Sequence, residues 1–288
     1  MQHLPGFSTL ADRYGGFILD LWGVIHDGVN AFPHALDVLT RLKAAGKRTL
    51  LLSNAPRTND AVRAMMRRMG IEDSLYSGIL TSGEAVRRAL QSPPDLWWAE
   101  LGTRVYHLGP MRDRPVIDGL PLTLADDPGQ ADFVLNTGPD DHRNPSDIGE
   151  FEDVLRACAR SGLKMICANP DLEVIRGGVR VLCAGALAVR YQELGGDVRS
   201  LGKPDPAIYQ PVLQELGVPA DSVLAVGDSL RTDIAGASGV NLPACWVLDG
   251  IHGAELSDGA GDFDARKTEE AARKAGVRPI AALPRFAW

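Results

Sequence analysis

The chain has 288 residues, 45% of them hydrophobic and 23% charged, with a net charge of −7. That is an ordinary globular composition, long enough for one large domain or two moderate ones. The acidic balance argues against nucleic acid or an anionic membrane as a partner, since both select a basic surface.

Residues 17–20, Phe-Ile-Leu-Asp, form an apolar run that ends in a carboxylate. Such a run reads as a buried strand of a parallel sheet. Asp20 then stands at its carboxyl end, where open α/β sheets place ligands. A turn-rich link, His26-Asp27-Gly28, leads to a helix from Pro33 that carries Ala35, Leu36, Leu39 and Leu42 at helical spacing and closes at Gly46. A second buried strand is expected over 48–53 and a helix over 61–69, stopped by Gly70. Strand, helix, strand, helix is the signature of right-handed βαβ units.

After a short helix over 84–90 and Ser92-Pro93-Pro94, a second alternation begins. Strands are expected over 104–108, 131–135 and 164–168, and a helix over 151–160, with turns at 126–129 and 138–141. This middle segment has the size of a small α/β unit. From Leu201 the first style resumes, with a helix over 205–216 and another apolar run, 222–228, that ends in Asp228. The tail reads as loop over 249–264 and a last helix over 268–275.

The four cysteines, Cys158, Cys167, Cys183 and Cys245, lie in apolar segments without CxxC spacing. Buried reduced thiols are expected, not a disulfide or a zinc site. Residues 1–16 show no basic leader before an apolar core, and no run is long enough to cross a bilayer. A cytoplasmic protein is the expectation.

Four pieces line up in order: Asp20 after a strand, Ser53-Asn54 after a strand, Lys203 in Gly202-Lys203-Pro204-Asp205-Pro206, and the run from Gly227-Asp228 to Asp233. This order resembles the haloacid dehalogenase superfamily, and most closely its class IIA sugar- and nucleotide-phosphatase-like branch. There a cap domain is inserted between the second and third motifs. Cys167-Ala168-Asn169-Pro170-Asp171 and Gly185-Ala186-Leu187 also look like that branch's cap. The resemblance implies an α/β fold with a Rossmann-like parallel-sheet core, 1–82 and 200–288, and an inserted C2-type α/β cap, 83–199.

The resemblance also implies a mechanism. Asp20 would be the nucleophile, forming an aspartyl-phosphate that splits hydrolysis into two displacements. Mg²⁺ would be held by Asp20, Asp228 and the backbone carbonyl of Trp22, with Asp233 behind them orienting Lys203 or a water. Ser53, Asn54 and Lys203 would bind the phosphoryl group, and Asn169 and Asp171 would contact the substrate from the cap. The expected partner is a small phosphorylated metabolite, such as a sugar or nucleotide phosphate. Any oligomer is expected to be a cap-to-cap homodimer, although no exposed stripe in the chain argues for one. A dehalogenase-type reaction at carbon is disfavoured, because the Asp228/Asp233 pair suits a metal.

Taken singly, these residues are ordinary. An aspartate at a strand end is commonly a turn former or cap, Ser53 a capping hydroxyl, and Lys203 a surface lysine. Arg57 and Arg231 lie close to two of the motifs and could bind phosphate, but read first as solvated charges. The Asn169-Pro170-Asp171 loop and the Gly185-Ala186-Leu187 turn have plain packing readings as well.

Trp22 departs from the pattern. Phosphatases of the superfamily carry an aspartate there, which protonates the leaving oxygen and then activates water. An indole does neither, and such help is worth about 10²–10⁴-fold. Three compensations are open. His26 or Asp27 takes over, although His26 reads as a loop histidine; or the leaving group is good enough, as in an acyl or aryl phosphate; or the protein chiefly binds its ligand.

Overall fold

A computed structural model of the protein describes residues 1–176, 179–258 and 262–288. In chain order its strands are β1 (Gln2–His3), β2 (Gly16–Leu19), β3 (Arg48–Ser53), β4 (Gly78–Thr81), β5 (Arg104–Leu108), β6 (Thr123–Leu124), β7 (Phe133–Asn136), β8 (Lys164–Cys167), β9 (Glu173–Arg176), β10 (Val179–Leu182), β11 (Asp197–Ser200), β12 (Val223–Gly227), β13 (Ala244–Val247) and β14 (Ala281–Leu283). The chain divides into two units. One comprises Met1–Ser53, Arg63–Leu80 and Lys203–Trp288, and the other Asn54–Val62 and Thr81–Gly202.

The first unit is built on a seven-stranded sheet of order β1-β14-β13-β12-β2-β3-β4 among the described residues. Every residue of β2 and β12 is buried, as a strand covered on both faces requires. β12 pairs in parallel with β2, setting Val226 beside Leu19, and β2 pairs in parallel with β3. Strands read from opposite ends of the chain thus become neighbours. The connection from β2 to β3 runs through helix Pro33–Ala44, which buries Ala35, Val38, Leu39 and Leu42. That i, i+3, i+4, i+7 stripe uses Val38 where Leu36 was expected; Leu36 sits at the margin and is half-buried.

Several expectations shift here. The helix expected over 205–216 opens as a 3₁₀ turn, Pro206–Ile208, before the α-helix Tyr209–Leu216. Within 249–264, read as loop, Gly253–Leu256 forms one helical turn, and 259–261 lie outside the described residues. The last helix is Ala265–Lys274, entered three residues early because Asp264 caps the N–H groups of Arg266 and Lys267.

The second unit holds a five-stranded parallel sheet of order β11-β8-β7-β5-β6 and the antiparallel hairpin β9–β10. Side-chain alternation sorts its core into two layers. Val134, Met165 and Cys167 join Phe151, Leu155 and Tyr191 in one cluster. Phe133, Leu135 and Ile166 join Val86, Trp98 and Val116 in the other. All four cysteines are buried and free, and burial pushes the Cys158 thiol up to about 12.

The Gly185-Ala186-Leu187 segment, expected as a turn, lies in the first turn of helix Ala184–Glu193, where Gly185 and Leu187 are buried. A Cβ on Gly185 would stand 2.4 Å from the carbonyl oxygens of both Pro170 and Asp171. The glycine lets the helix abut the 170–171 backbone. No helix among the described residues is long and apolar enough to cross a membrane. Gly185→Ala is therefore expected to destabilise this unit by about 1–3 kcal/mol through overpacking against rigid backbone. Denaturant unfolding compared with wild type measures it; an unchanged midpoint would contradict the packing role.

Candidate functional site

Asp20 follows β2, and its backbone N–H donates to Val226 on β12 at 2.9 Å. Asp228 follows β12, so the parallel register sets these two carboxylates at neighbouring strand ends. Ser53 ends β3, the strand on the other side of β2, and is 6% exposed. Asp233 comes from the turn just after Asp228, Leu230–Ile234, and accepts the Ser229 N–H at 3.1 Å. One carboxylate oxygen from each of Asp20, Asp228 and Asp233 lies within 4.8 Å of the other two.

Lys203 Nζ donates to Asp20 Oδ1 at 2.6 Å and to Asp233 Oδ1 at 2.7 Å. Its side chain is 4% exposed, against 10% for Asp20 and 6% for Asp233. A lysine this deep needs both partners, because an unpaired buried charge is very costly. Asp228 is held differently. Its Oδ2 accepts the Ile251 N–H at 2.8 Å, and its backbone carbonyl accepts the Trp246 indole N–H at 2.8 Å. Gly23, at φ +79°, would place a Cβ 2.2 Å from Asp228 Oδ2. Only glycine gives both that backbone conformation and that clearance.

Three carboxylates face one ammonium, so two negative charges stay unbalanced in a buried place. Burial, with the nearby charges of Asp20 and Asp233, accordingly pushes Asp228 well above the ordinary carboxylate range. Hard oxygen donors gathered around excess negative charge fit a small divalent cation.

The Trp22 ring lies over Gly28, where a Cβ would stand 2.1 Å from ring carbon Cη2. It meets His26 edge to face, with ring centres 5.7 Å apart. His26, expected as an ordinary loop histidine, is buried. It is 1% exposed, and Nδ1 accepts the Gly28 N–H at 3.0 Å. Its Nε2 has no hydrogen-bond partner among the described residues. Burial lowers its pKa to about 4, so the ring is neutral at neutral pH. Asp27 closes a turn instead: Oδ1 accepts the N–H groups of Asn30 and Val29 at 2.6 and 2.8 Å, and these bonds hold its pKa below the ordinary value.

The remaining expected residues group in the second unit. Asn54 Nδ2 donates to Asp171 Oδ1 at 3.0 Å, and Asn169 Oδ1 accepts the Asp171 N–H at 3.0 Å. Asn54 and Asn169 are buried. Arg57, expected as a solvated charge, pairs with buried Asp113 at 2.8 Å, while Arg231 is exposed. Ile251 and Trp246 were missed as supports of Asp228. The signal lay in Ala-Cys-Trp-Val at 244–247, a short strand whose following loop reaches the same sheet edge.

Residues 17–121 match the family model described as haloacid dehalogenase-like hydrolase, and residues 200–271 one described as HAD-hydrolase-like. The structure is similar to that of a haloacid dehalogenase-like family hydrolase from Brucella suis, at 31% identity and TM-score 0.83, covering 99% of this chain and 100% of that one. Among curated proteins, chronophin from Rattus norvegicus is 28% identical over 263 residues, 86% of this chain and 82% of its own. An acid sugar phosphatase from Staphylococcus aureus is 25% identical over 243 residues, 83% of this chain and 88% of its own.

Without metal, the raised Asp228 pKa has a definite sign. The folded state holds that proton more tightly than the unfolded chain, so folding draws stability from it at low pH. That stability is lost as pH rises from near 3.8 through the raised value. In chelator, Asp228→Asn is expected to raise the melting temperature at pH 8 and to flatten this pH dependence. Calorimetric scans across pH measure both; equal slopes for mutant and wild type would contradict the burial cost.

Proposed function

The chain belongs to the haloacid dehalogenase-like hydrolases, and from that membership we propose a Mg²⁺-dependent phosphatase that hydrolyses a small phosphorylated metabolite, a sugar or nucleotide phosphate, through Asp20. The observation that carries the reading is the buried cluster of Asp20, Asp228 and Asp233 around Lys203 at one sheet edge. Asp20, Asp228 and the Trp22 carbonyl would hold the cation. Bound there, Mg²⁺ would offset the charge that otherwise keeps a carboxylate and a phosphoryl group apart.

In the first step an Asp20 oxygen forms a bond to phosphorus and the ester P–O bond breaks, the electron pair leaving with the ester oxygen, which takes its proton from water. Water then attacks the aspartyl-phosphate, releasing inorganic phosphate and restoring the carboxylate. Lys203 holds the carboxylate in place and supplies positive charge to the phosphoryl group, with Asp233 fixing its ammonium. Ser53 would donate its hydroxyl to a phosphoryl oxygen, and Asn54 adds a donor. We take 83–199 as a cap, with Asn169 and Asp171 as its substrate-facing residues, and the cytoplasm as the site of action.

A second reading, a weakly active or purely binding protein, is favoured by the surroundings of Trp22. The indole is seated over Gly28, His26 is neutral and buried, and Asp27 is occupied in a turn. None of the three compensates as an acid. Phenyl, p-nitrophenyl and alkyl phosphates, assayed with Mg²⁺ on wild type, Asp20→Asn and Trp22→Asp, separate the two readings. The phosphatase is expected to turn over the aryl esters, to lose that activity in Asp20→Asn, and to gain about 10²–10⁴-fold on alkyl esters in Trp22→Asp. Turnover that appears only in Trp22→Asp would establish the binding protein. Activity surviving in Asp20→Asn would remove Asp20 as the nucleophile.

A further inference from the structure

One peptide group ties two of the buried acids to a residue outside the cluster. The carbonyl of the Asp228–Ser229 peptide accepts the Trp246 indole N–H at 2.8 Å, and its N–H donates to Asp233 Oδ2 at 3.1 Å. Asp233 Oδ1 in turn accepts Lys203 Nζ at 2.7 Å, and the same ammonium donates to Asp20 Oδ1 at 2.6 Å. A peptide group is planar, so a tilt that moves its carbonyl moves its N–H as well. The indole and the Asp233 carboxylate thus pull on opposite ends of one rigid unit, and each bond polarises the other. The plane of that peptide also fixes the backbone at Asp228, and with it the direction of the carboxylate.

The sheet places Trp246 for this contact. It lies on β13 beside Gly227 of β12, one residue before Asp228, and is 0% exposed. His252 braces the indole edge to face, with ring centres 5.7 Å apart. Asp233 reaches back because the Ser229 carbonyl accepts the N–H groups of both Asp233 and Ile234, at 3.0 and 3.1 Å, in the turn Leu230–Ile234. Glycine at 227 leaves the room: a Cβ there would stand 2.1 Å from Asp233 Cγ. An indole N–H only donates and does not titrate, so its bond to the carbonyl keeps one direction at every pH.

We propose that Trp246 is a positioning residue, which through the Asp228–Ser229 peptide aims the Asp228 carboxylate at a divalent cation and steadies Asp233 against Lys203. The cation is that of the Mg²⁺-dependent reading above, on which this role rests. Trp246 itself acts only through the two acids.

Mg²⁺ titrated calorimetrically into the metal-free full-length protein tests the role. Trp246→Phe keeps an aromatic ring in the core and removes the N–H. It is expected to weaken Mg²⁺ about tenfold, the loss of one buried hydrogen bond. Cys245→Ala, the buried neighbour on β13, opens a gap without touching the peptide. It is expected to lower the melting temperature while leaving Mg²⁺ affinity within about twofold of wild type. The indole N–H signal of Trp246 in ¹⁵N–¹H spectra, identified by its loss in Trp246→Phe, gives a signature that packing alone does not move. It is expected to shift when Mg²⁺ binds wild type, and in metal-free Asp233→Asn, where the far end of the peptide is altered. Mg²⁺ affinity unchanged in Trp246→Phe, equal weakening in Cys245→Ala, or an indole signal that stays in place as Mg²⁺ binds each overturns the positioning role. Should wild type still turn over phenyl phosphate in those cases, the phosphatase reading stands. Indole-dependent Mg²⁺ binding without such turnover upholds Trp246 and overturns the phosphatase, and a wild type that binds no Mg²⁺ overturns both.

Discussion

Lys203 Nζ sits between Asp20 Oδ1 at 2.6 Å and Asp233 Oδ1 at 2.7 Å, almost out of reach of water. Few arrangements bury three charged groups together, and this one survives because each defect covers another. The ammonium offsets the charges of Asp20 and Asp233, and the two carboxylates satisfy the buried lysine. Among the described residues Asp228 has no ammonium partner and depends on a backbone amide, so it is the carboxyl that the surplus negative charge makes hardest to ionise. A cation is the simplest group that could relieve it. The parallel neighbours β2 and β12 aim these groups at one another, and Gly23 keeps the space beside Asp228 open.

Much of this was legible in the residues. Apolar runs ending in Asp20 and Asp228 read as buried strands because a strand covered on both faces has no polar side to show. The strand at 48–53 and the one at 104–108 have the expected limits. What escaped was short or poor in branched residues. β14 is Ala-Ala-Leu, β1 has two residues, and β13 carries Cys and Trp, so none stands out from its neighbours. Periodicity also cannot tell a half-buried Leu36 from a buried Val38, since both fall near the apolar stripe of one helix.

The surroundings of position 22 were less readable. Sequence shows that an indole replaces a carboxylate, but not what the indole does. The fold seats it on Gly28 and against His26, turning a missing acid into an apolar wall. Nor could the pattern show that the His26 ring would be removed from water. That depends on the turn folding back so that Gly28 donates its N–H to the ring, a contact across two residues in a loop. Arg57 is a similar case. It looked solvated because its partner, Asp113, lies more than fifty residues away and is buried by tertiary packing alone.

The pairing of β2 with β12 also bears on how the protein is made. A chain emerging from the ribosome exposes Asp20 early, whereas Asp228 and Lys203 appear only when most of the polypeptide has been synthesised. Until then β2 lacks one neighbour and Asp20 lacks its countercharge. A nascent fragment that stops short of Lys203 and Asp228 therefore cannot assemble the buried cluster.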